Sequence, residues 1–472
     1  MTIIRAYRYA LDPSPAETEV LRRYANAARC GYNFALGLMV DAHDLWTRGR
    51  DLLIEQGMDP AEAAKKAPKV KTPSRNDAQA HFRATRDVEF IGPLPRGVER
   101  RPRFRWWEEV NNRAYYTAFE DAATAWKNWR DSHAGRRAGP RVGYPRFKKK
   151  GHVPERFRLV HNVKKPEIRF EGPRRLRIPG GGGQPAFTVR LHQTAQPLIR
   201  EIESGRATVT SLTVRREGHR WFASVLCRVE VELPSGPNPR QRKAGRVGAD
   251  LGVKHLVALS DPLRLAPDAE PTTVIDNPRL LERTARKLAR EQRRMARRYV
   301  RGAGGQSKGY QEAKARVARL HADLAARRNS TLHLISKRLV EQYAEVALES
   351  LNTRGMTASA KGTAEKPGRN VRQKAGLNRS ILDASFAELN RQIEYKAPWH
   401  GAVVARVGTY FPSSKTCSKC QWHNSQLTLN EREFRCQQCG MVLDRDANAA
   451  RNIKAHATPS GPNPDQTPGW GL

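Results

Sequence analysis

The sequence predicts a chain of the α/β class that also carries separate helical and β-rich modules. Apolar residues at helical spacing cover residues 16–56 and 106–133, whereas six short apolar stretches separated by turns fill residues 156–232. Farther along, two apolar strands, VGAD and EVALE, alternate with helical segments, and each ends in one carboxylate. The C-terminal half is therefore the part in which we expect strands and helices to share one domain.

The composition indicates a polyanionic partner. The 472 residues include 85 Lys and Arg against 47 Asp and Glu, which gives a net charge of +38. A membrane surface is the alternative partner, but the sequence has no apolar run long enough to span a bilayer and no signal peptide. Cys30 and Cys227 stand alone in apolar settings, which is typical of a reducing compartment, so we expect a cytoplasmic protein that associates with the nucleoid.

Four further cysteines form two Cys-x-x-Cys pairs, Cys417 with Cys420 and Cys436 with Cys439. Two such pairs can complete a tetrahedral shell of four thiolates, which favours Zn²⁺ in a closed, structural site. The alternative is two pairs without a metal. His423 lies between the pairs, and because the shell is already complete we expect it to be a polar surface residue.

Three segments carry carboxylates in settings that suggest chemistry. Asp250 and Glu349 each end an apolar strand, where an unpaired acid is costly unless it binds a metal. Asp444 and Asp446 precede an Ala-rich run that predicts a helix, and either residue could simply cap that helix. Clustered without a cation, such acids would repel one another, so a cluster would make sense chiefly as a metal site.

The run CSKC, CQQCG, DRDANAARNI, together with GADLG, closely resembles the TnpB family of transposon-encoded RNA-guided nucleases, relatives of the compact type V CRISPR effectors. The resemblance is close from residue 246 to 454 and much weaker before that. It implies an RNase H-like RuvC nuclease domain split by a zinc ribbon, with an N-terminal wedge-like β-barrel and an inserted helical recognition lobe. It matches Asp250, Glu349 and Asp446 to the catalytic acids, and so favours Asp446 over Asp444.

The sequence patterns and this resemblance together predict a division of the chain into seven parts. They are 1–15, the first barrel strand; 16–135, the helical lobe; 136–240, the rest of the barrel; 241–410, the RuvC domain with a basic helical pair at 279–328; 411–440, the zinc ribbon; 441–456, the last RuvC motif; and 457–472, a disordered tail.

The helical pair and the segment before the β-rich module are the expected nucleic-acid contacts. Charge of one sign along a helix cannot be neutralised by pairing along that helix, although a solvated face is the common alternative. The candidates are Arg286, Lys287, Arg290, Arg293, Arg294, Arg297, Arg298, Lys148, Lys149 and Lys150. The aromatic residues of the helix at 106–133 could stack on bases, but their helical spacing favours core packing.

The function expected from the resemblance is cleavage of double-stranded DNA directed by a guide RNA. Two Mg²⁺ ions held by Asp250, Glu349 and Asp446 would catalyse the hydrolysis, and Zn²⁺ would be structural. Two alternatives stay open, a guided DNA-binding protein that does not cleave and a transposase-associated protein that transfers DNA strands. The sequence leaves the oligomeric state undetermined.

Overall fold

The computed structural model describes residues 1–86, 107–164, 166–181, 184–302, 305–363, 365–428 and 430–459. The chain divides into two compact units, Met1–Val231 and Glu232–Leu472. Residue 106 of the predicted helix and residues 460–472 of the expected tail lie outside the described residues. Within the described residues, no helix is both long and apolar enough to cross a bilayer.

The helices described in the first unit are α1 (Pro15–Glu55), α2 (Pro60–Lys66), α3 (Arg75–Thr85), α4 (Arg113–His133) and α5 (Gln196–Glu203). Aromatic side chains of α1, α3 and α4 pack together in its core. Tyr115, Phe119 and Trp126 of α4 are all buried in the core, which confirms core packing for these three rings. Helix α4 begins at Arg113, later than predicted, and the hydroxyl of Tyr115 donates a hydrogen bond to the carbonyl of Trp107 before it.

The strands of the first unit form two antiparallel sheets. One has the order β1 (Thr2–Ala10), β7 (Arg220–Glu230), β6 (Ala207–Glu217), β2 (Arg156–Val160); the other joins β3 (Arg169–Phe170), β4 (Arg175–Ile178) and β5 (Phe187–Arg190). Strand β1 pairs with β7 along its whole length, so α1 to α4 are inserted between strands of one sheet. An isolated bridge between Leu11 and Leu191 joins the sheets, but no ladder among the described residues closes them into the expected barrel.

The second unit is built on a mixed sheet. Its order is β10 (Thr272–Asp276), β9 (His255–Leu263), β8 (Arg246–Asp250), β11 (Glu345–Glu349), β12 (Val403–Val407), β15 (Thr458–Pro459). Strands β8, β9 and β10 are antiparallel neighbours, whereas β8, β11 and β12 run parallel. The carboxyl ends of β8, β11 and β12 therefore lie at one edge of the sheet.

The helices described in this unit are α6 (Pro239–Ala244), α7 (Leu280–Arg297), α8 (Lys308–Gln342), α9 (Thr353–Met356), α10 (Val371–Ala384), α11 (Phe386–Lys396) and α12 (Arg445–His456). Helices α8 and α11 pack on one face of the sheet, and α12 packs on the other. One core contains Val346 and Leu348 with side chains of α8 and α11. Ala347 and Ala405 point to the other face and pack with Ile453 of α12.

Two sequence predictions for this unit were wrong in detail. The basic helical pair does not end at residue 328, because its second helix, α8, continues to Gln342 with no Gly or Pro to interrupt it. The disordered tail was predicted to begin at residue 457, but Ala457 is buried and Thr458 pairs with Arg406.

Candidate metal centres and basic surfaces

The two Cys-x-x-Cys pairs form matching knuckles on a small ribbon whose strands are β13 (Glu433–Arg435) and β14 (Val442–Asp444). In the first knuckle the amide of Gln421 donates to the carbonyl of Cys417, and in the second the amide of Gly440 donates to the carbonyl of Cys436. Gln421 and Gly440 have φ of 67° and 70°, so the two turns have the same shape. Each turn directs both of its thiols to one point.

The four thiols fit a zinc ion. Their sulfur atoms all lie within 4.8 Å of one another, and the distances from Cys417 to Cys439 and from Cys420 to Cys436 are 3.7 and 3.4 Å. A tetrahedral zinc with Zn–S bonds of about 2.3 Å separates its sulfurs by about 3.8 Å. His423 is exposed and not part of this cluster, as the sequence predicts.

The strand register brings Asp250 and Glu349 side by side. Leu348 of β11 pairs with Ala249 of β8, so the next residue on each strand is an acid. Because side chains alternate between faces, Asp250 lies on the face of Gly248, and Glu349 lies on the face of Ala347. Ala347 packs in the core that contains α12, so both acids are on the α12 side of the sheet.

Helix α12 brings Asp446 to the same edge. The guanidinium of Arg246, at the start of β8, donates to the carbonyls of Lys454 and Ala457, so the end of α12 lies beside the start of the strand. The backbone of Ala450 lies directly over Gly248. Asp446 is four residues, about 6 Å along the helix axis, closer to the helix start than Ala450, and this turn extends toward Asp250.

The two acids of Asp444-Arg445-Asp446 have different surroundings. The Asp444 carboxylate accepts hydrogen bonds from the backbone amides of Asp446 and Ala447, at 2.9 and 3.0 Å, and so caps α12. Asp446 stands in the first turn with its side chain 13 % exposed, and Arg445 lies 3.5 Å away. The cap occupies Asp444, whereas the negative charge of Asp446 lies near enough to Asp250 to raise the pKa of that carboxyl.

The electrostatics of the edge are those of crowded acids. Burial, together with the negative charges of Glu349 and Asp446, raises the pKa of Asp250 to about 8. Burial also raises the pKa of Glu349, and a hydrogen bond from Ser413 offsets part of this rise by lowering the pKa. Among the described residues, the cysteines alone have ligand atoms all within 4.8 Å of one another, so the three acids are more widely spaced than the thiols.

The basic face of α7 contains both paired and unpaired cations. Glu291, only 5 % exposed, lies 3.3 Å from Arg294 and 3.8 Å from Arg290, and Arg298 donates to the carbonyl of Gly309. The remaining predicted contacts of this helix are exposed and have no carboxylate partner among the described residues. They are Arg286, Lys287, Arg293 and Arg297.

The three lysines at 148–150 are not equivalent. The ammonium of Lys148 lies 3.5 Å from the centre of the Tyr32 ring, and burial lowers its pKa. Lys149 and Lys150 are exposed. The cation–π contact occupies Lys148, so the two exposed lysines are the more available for a phosphate.

Sequence reasoning missed two residues that shape the acid site, Ser413 and Gly248. The Ser413 hydroxyl contacts Glu349, and no sequence signal indicates this pairing. Gly248 stands inside an apolar strand, and a glycine there is itself a signal for close backbone approach. Asn448 donates to the carbonyl of Thr416, and Asn452 donates to the carbonyls of Ser413 and Thr416, so both side chains bond to backbone.

Three family models match the chain. Residues 224–360 match the model described as "Probable transposase", residues 386–453 match "Cas12f1-like, TNB domain", and residues 1–44 match "Helix-turn-helix domain". The chain is thus of the class that includes the IS605-type transposon proteins and the Cas12f1-like effectors. In this structure, residues 1–44 form strand β1 and the first part of α1.

Two curated relatives carry the provisional name RNA-guided DNA endonuclease. The protein of Mycobacterium tuberculosis is 31% identical over 463 residues, 97% of this chain and 87% of the relative. That of Escherichia coli is 31% identical over 351 residues, 74% of this chain and 76% of the relative.

A solved Cas12f1–sgRNA–target DNA complex aligns over 96% of this chain and 99% of the other, at 13% identity and a TM-score of 0.44. The chain belongs to the TnpB-like family of RNA-guided DNA endonucleases.

Proposed function

We propose that this protein is an RNA-guided DNA endonuclease in which Asp250, Glu349 and Asp446 form a RuvC-type metal site. The observation that carries the proposal is the convergence of these acids, from segments about a hundred residues apart, on one face and one edge of the sheet. The sheet order β10-β9-β8-β11-β12, with its antiparallel and parallel halves, supports an RNase H-like assignment for this unit. Membership of the TnpB-like family supports the guided reaction.

The acids suit Mg²⁺ because it takes hard oxygen ligands and keeps several waters, so a few carboxylates suffice. The raised pKa of Asp250 reflects burial among like charges, which is the setting a divalent cation would relieve. When bound, such ions generate a hydroxide nucleophile and stabilise the leaving oxygen of a phosphodiester. Asp250 and Glu349 would hold their oxygens on rigid strand ends, and Asp446 would hold its oxygens on the first turn of α12.

The residues around the acids keep these side chains in place. Asp444 caps α12, Arg246 ties the end of that helix to β8, and Arg406 donates to the carbonyl of Glu349 at 3.1 Å. Precise placement of ligands contributes to rate because a misplaced ligand loses transition-state stabilisation. The zinc ribbon would act as a structural module, since its four thiols leave no open position.

The partners we propose are a guide RNA and a double-stranded DNA target. In such a reaction the pairing between guide and target supplies sequence specificity, and the protein binds the backbones of both strands. The unpaired cations of α7 and the exposed Lys149 and Lys150 are suited to phosphate contacts, which supply most of the affinity for nucleic acid.

Cleavage by the purified complex tests the proposal. The protein is expressed with its flanking genomic sequence, the bound RNA is sequenced, and the complex is given plasmids with a matching target and randomised flanks. We expect Mg²⁺-dependent cutting of the matched plasmid, abolished by Glu349→Ala with binding retained. Equal cutting by Glu349→Ala would contradict the assigned site. Binding without cutting by the wild-type complex would favour a guided binding protein, and joining of DNA ends without bound RNA would favour a strand-transfer protein.

A further inference from the structure

Ser413 places a hydroxyl against the side chain of Glu349. Its Oγ donates a hydrogen bond to Glu349 Oε1 at 2.5 Å, and Ser413 is only 6 % exposed. The contact joins the end of β11 to the segment that leads into Cys417, the first thiol of the ribbon. In sequence the two residues are 64 apart, so only the folded structure brings them together.

Two buried asparagines of α12 hold the segment that contains Ser413. The amide nitrogen of Asn452 donates to the carbonyls of Ser413 and Thr416, at 2.8 and 2.5 Å. The amide nitrogen of Asn448 donates to the carbonyl of Thr416 at 2.7 Å, and its oxygen accepts from the amide of Ser418 at 2.9 Å. Both asparagines are fully buried, so these bonds are protected from water.

The same helix therefore serves two acids. Asp446 stands on the first turn of α12, and Asn448 and Asn452 on later turns hold Ser413 against Glu349. The first zinc knuckle is also attached to α12, because Ser418 lies between its two cysteines and donates its amide to Asn448. Glu349, α12 and the ribbon are in this way joined by one continuous set of hydrogen bonds.

We infer that Ser413 is a positioning residue for Glu349, and that the first zinc knuckle keeps it in place through its attachment to α12. The inference rests on the proposed function, because it gives Glu349 the role of a metal ligand. A glutamate side chain has three rotatable bonds, and a hydrogen bond to one carboxylate oxygen orients the group and leaves the other oxygen for a cation. Such bonds to a ligand typically change metal affinity about ten- to a hundredfold.

Three substitutions at Ser413 separate the effect of losing the hydroxyl from the effect of changing the side-chain volume. Ser413→Ala removes the hydroxyl, whereas Ser413→Thr and Ser413→Val add nearly the same volume and differ in whether a hydroxyl is present. Ser350→Ala is the matched control, because the hydroxyl of this neighbour of Glu349 donates to the carbonyl of Val407 and not to the carboxylate. All variants are compared as guide-bound complexes with equal zinc content.

We expect Ser413→Ala and Ser413→Val to raise the Mg²⁺ concentration at half-maximal cleavage about tenfold or more. Ser413→Thr and Ser350→Ala should stay within about twofold of the wild-type protein, and target binding should be unchanged in all four. An unchanged Mg²⁺ requirement in Ser413→Ala would overturn the inference. If Ser413→Ala loses zinc, the comparison of Ser413→Thr with Ser413→Val replaces it. Equal Mg²⁺ requirements in these two variants would then overturn the inference.

A binding measurement makes the result independent of cleavage. Titration of each guide-bound complex with Mn²⁺, followed by electron paramagnetic resonance, reports affinity for the cation whether or not DNA is cut. We expect weaker Mn²⁺ binding in Ser413→Ala and Ser413→Val alone. Wild-type complex that binds Mn²⁺ but does not cut would contradict the proposed function and leave this comparison intact, whereas equal Mn²⁺ affinity in all variants would contradict the role of Ser413.

Discussion

Gly248 of β8 lies in direct contact with the backbone of Ala450 in α12. A Cβ atom at position 248 would stand 2.0 Å from the carbonyl oxygen of Ala450 and 2.6 Å from the amide nitrogen of Lys454. Both neighbours are helix backbone, which cannot move aside as a flexible side chain can. The absence of a side chain at Gly248 therefore sets the distance between the strand that ends in Asp250 and the helix that carries Asp446.

Gly248→Ala should displace α12 from the sheet. Overpacking of this kind typically costs about 1–3 kcal/mol of stability, and the shift of Asp446 away from Asp250 should lower cleavage more than tenfold. Thermal unfolding and the cleavage rate are the two measurements. Gly408→Ala is the control, since a Cβ there would meet no atom within 4 Å. Wild-type cleavage by Gly248→Ala would show that α12 tolerates a greater distance from β8.

Asp444 and Asp446 should differ sharply on substitution. Asp446→Ala should reduce Mg²⁺-dependent cleavage about a thousandfold or more, because each 1.4 kcal/mol of lost transition-state stabilisation is tenfold in rate. Asp444→Ala removes a helix cap, which costs about 1 kcal/mol of stability, and should keep most of the activity. Cleavage is measured beside a gel shift of the same complex. The opposite order of effects would assign the ligand to Asp444.

Cys417→Ser should release zinc and unfold the ribbon. A structural zinc site contributes on the order of 10 kcal/mol to folding, and Cys417 is fully buried in the small core that contains Phe434. Metal content per chain, measured by mass spectrometry, should fall from one zinc to none. Cys30→Ser, outside the ribbon, should keep its zinc. One zinc retained in Cys417→Ser would refute the four-thiol site.

The unpaired arginines of α7 should control salt dependence. Arg293→Gln with Arg297→Gln removes two exposed cations without a described carboxylate partner, and should reduce the log–log salt slope of nucleic-acid binding by about two. Arg316→Gln is the control, because this arginine of α8 lies 3.9 Å from Glu291 and 3.7 Å from Glu312. Binding is measured at several salt concentrations. Equal slopes in the double variant and the wild-type protein would show a merely solvated face.

Without divalent cations, stability should fall as the pH rises. The pKa of Asp250 is raised to about 8 in the folded chain, against about 3.9 for an unfolded aspartate, so the folded state binds the extra proton between these values. Stability from this group is therefore complete below about pH 4 and is lost as the pH rises through about 8. Thermal unfolding in a chelator from pH 5 to 8 measures the slope, which Asp250→Asn should reduce. If the stability of the wild-type protein minus that of Asp250→Asn rose with pH instead of falling, the placement of Asp250 would be contradicted.

Much of the fold could be predicted because it follows from local patterns. Six apolar stretches were predicted over residues 156–232, and six strands, β2 to β7, lie there, since alternation and turn residues are properties of a few neighbouring positions. Helix ends were less predictable. The basic helical pair was expected to end at residue 328, but α8 continues to Gln342, and the left-handed Ser385 separates α10 from α11. These details depend on tertiary packing, which can override weak local preferences.

The chemical groups available to this protein can be listed from the sequence. The spacing of the cysteines, the acids at the strand ends and the excess of Arg and Lys are visible without coordinates, because ligand type and charge belong to individual residues. Which of these groups meet, and which are occupied elsewhere, depends on how the chain folds. The tertiary structure assigned Asp444 to the cap of α12, Lys148 to the ring of Tyr32 and Ser413 to the carboxylate of Glu349. Each of the last two contacts joins residues distant in the chain, and such contacts form only when sheet register and helix packing bring the segments together.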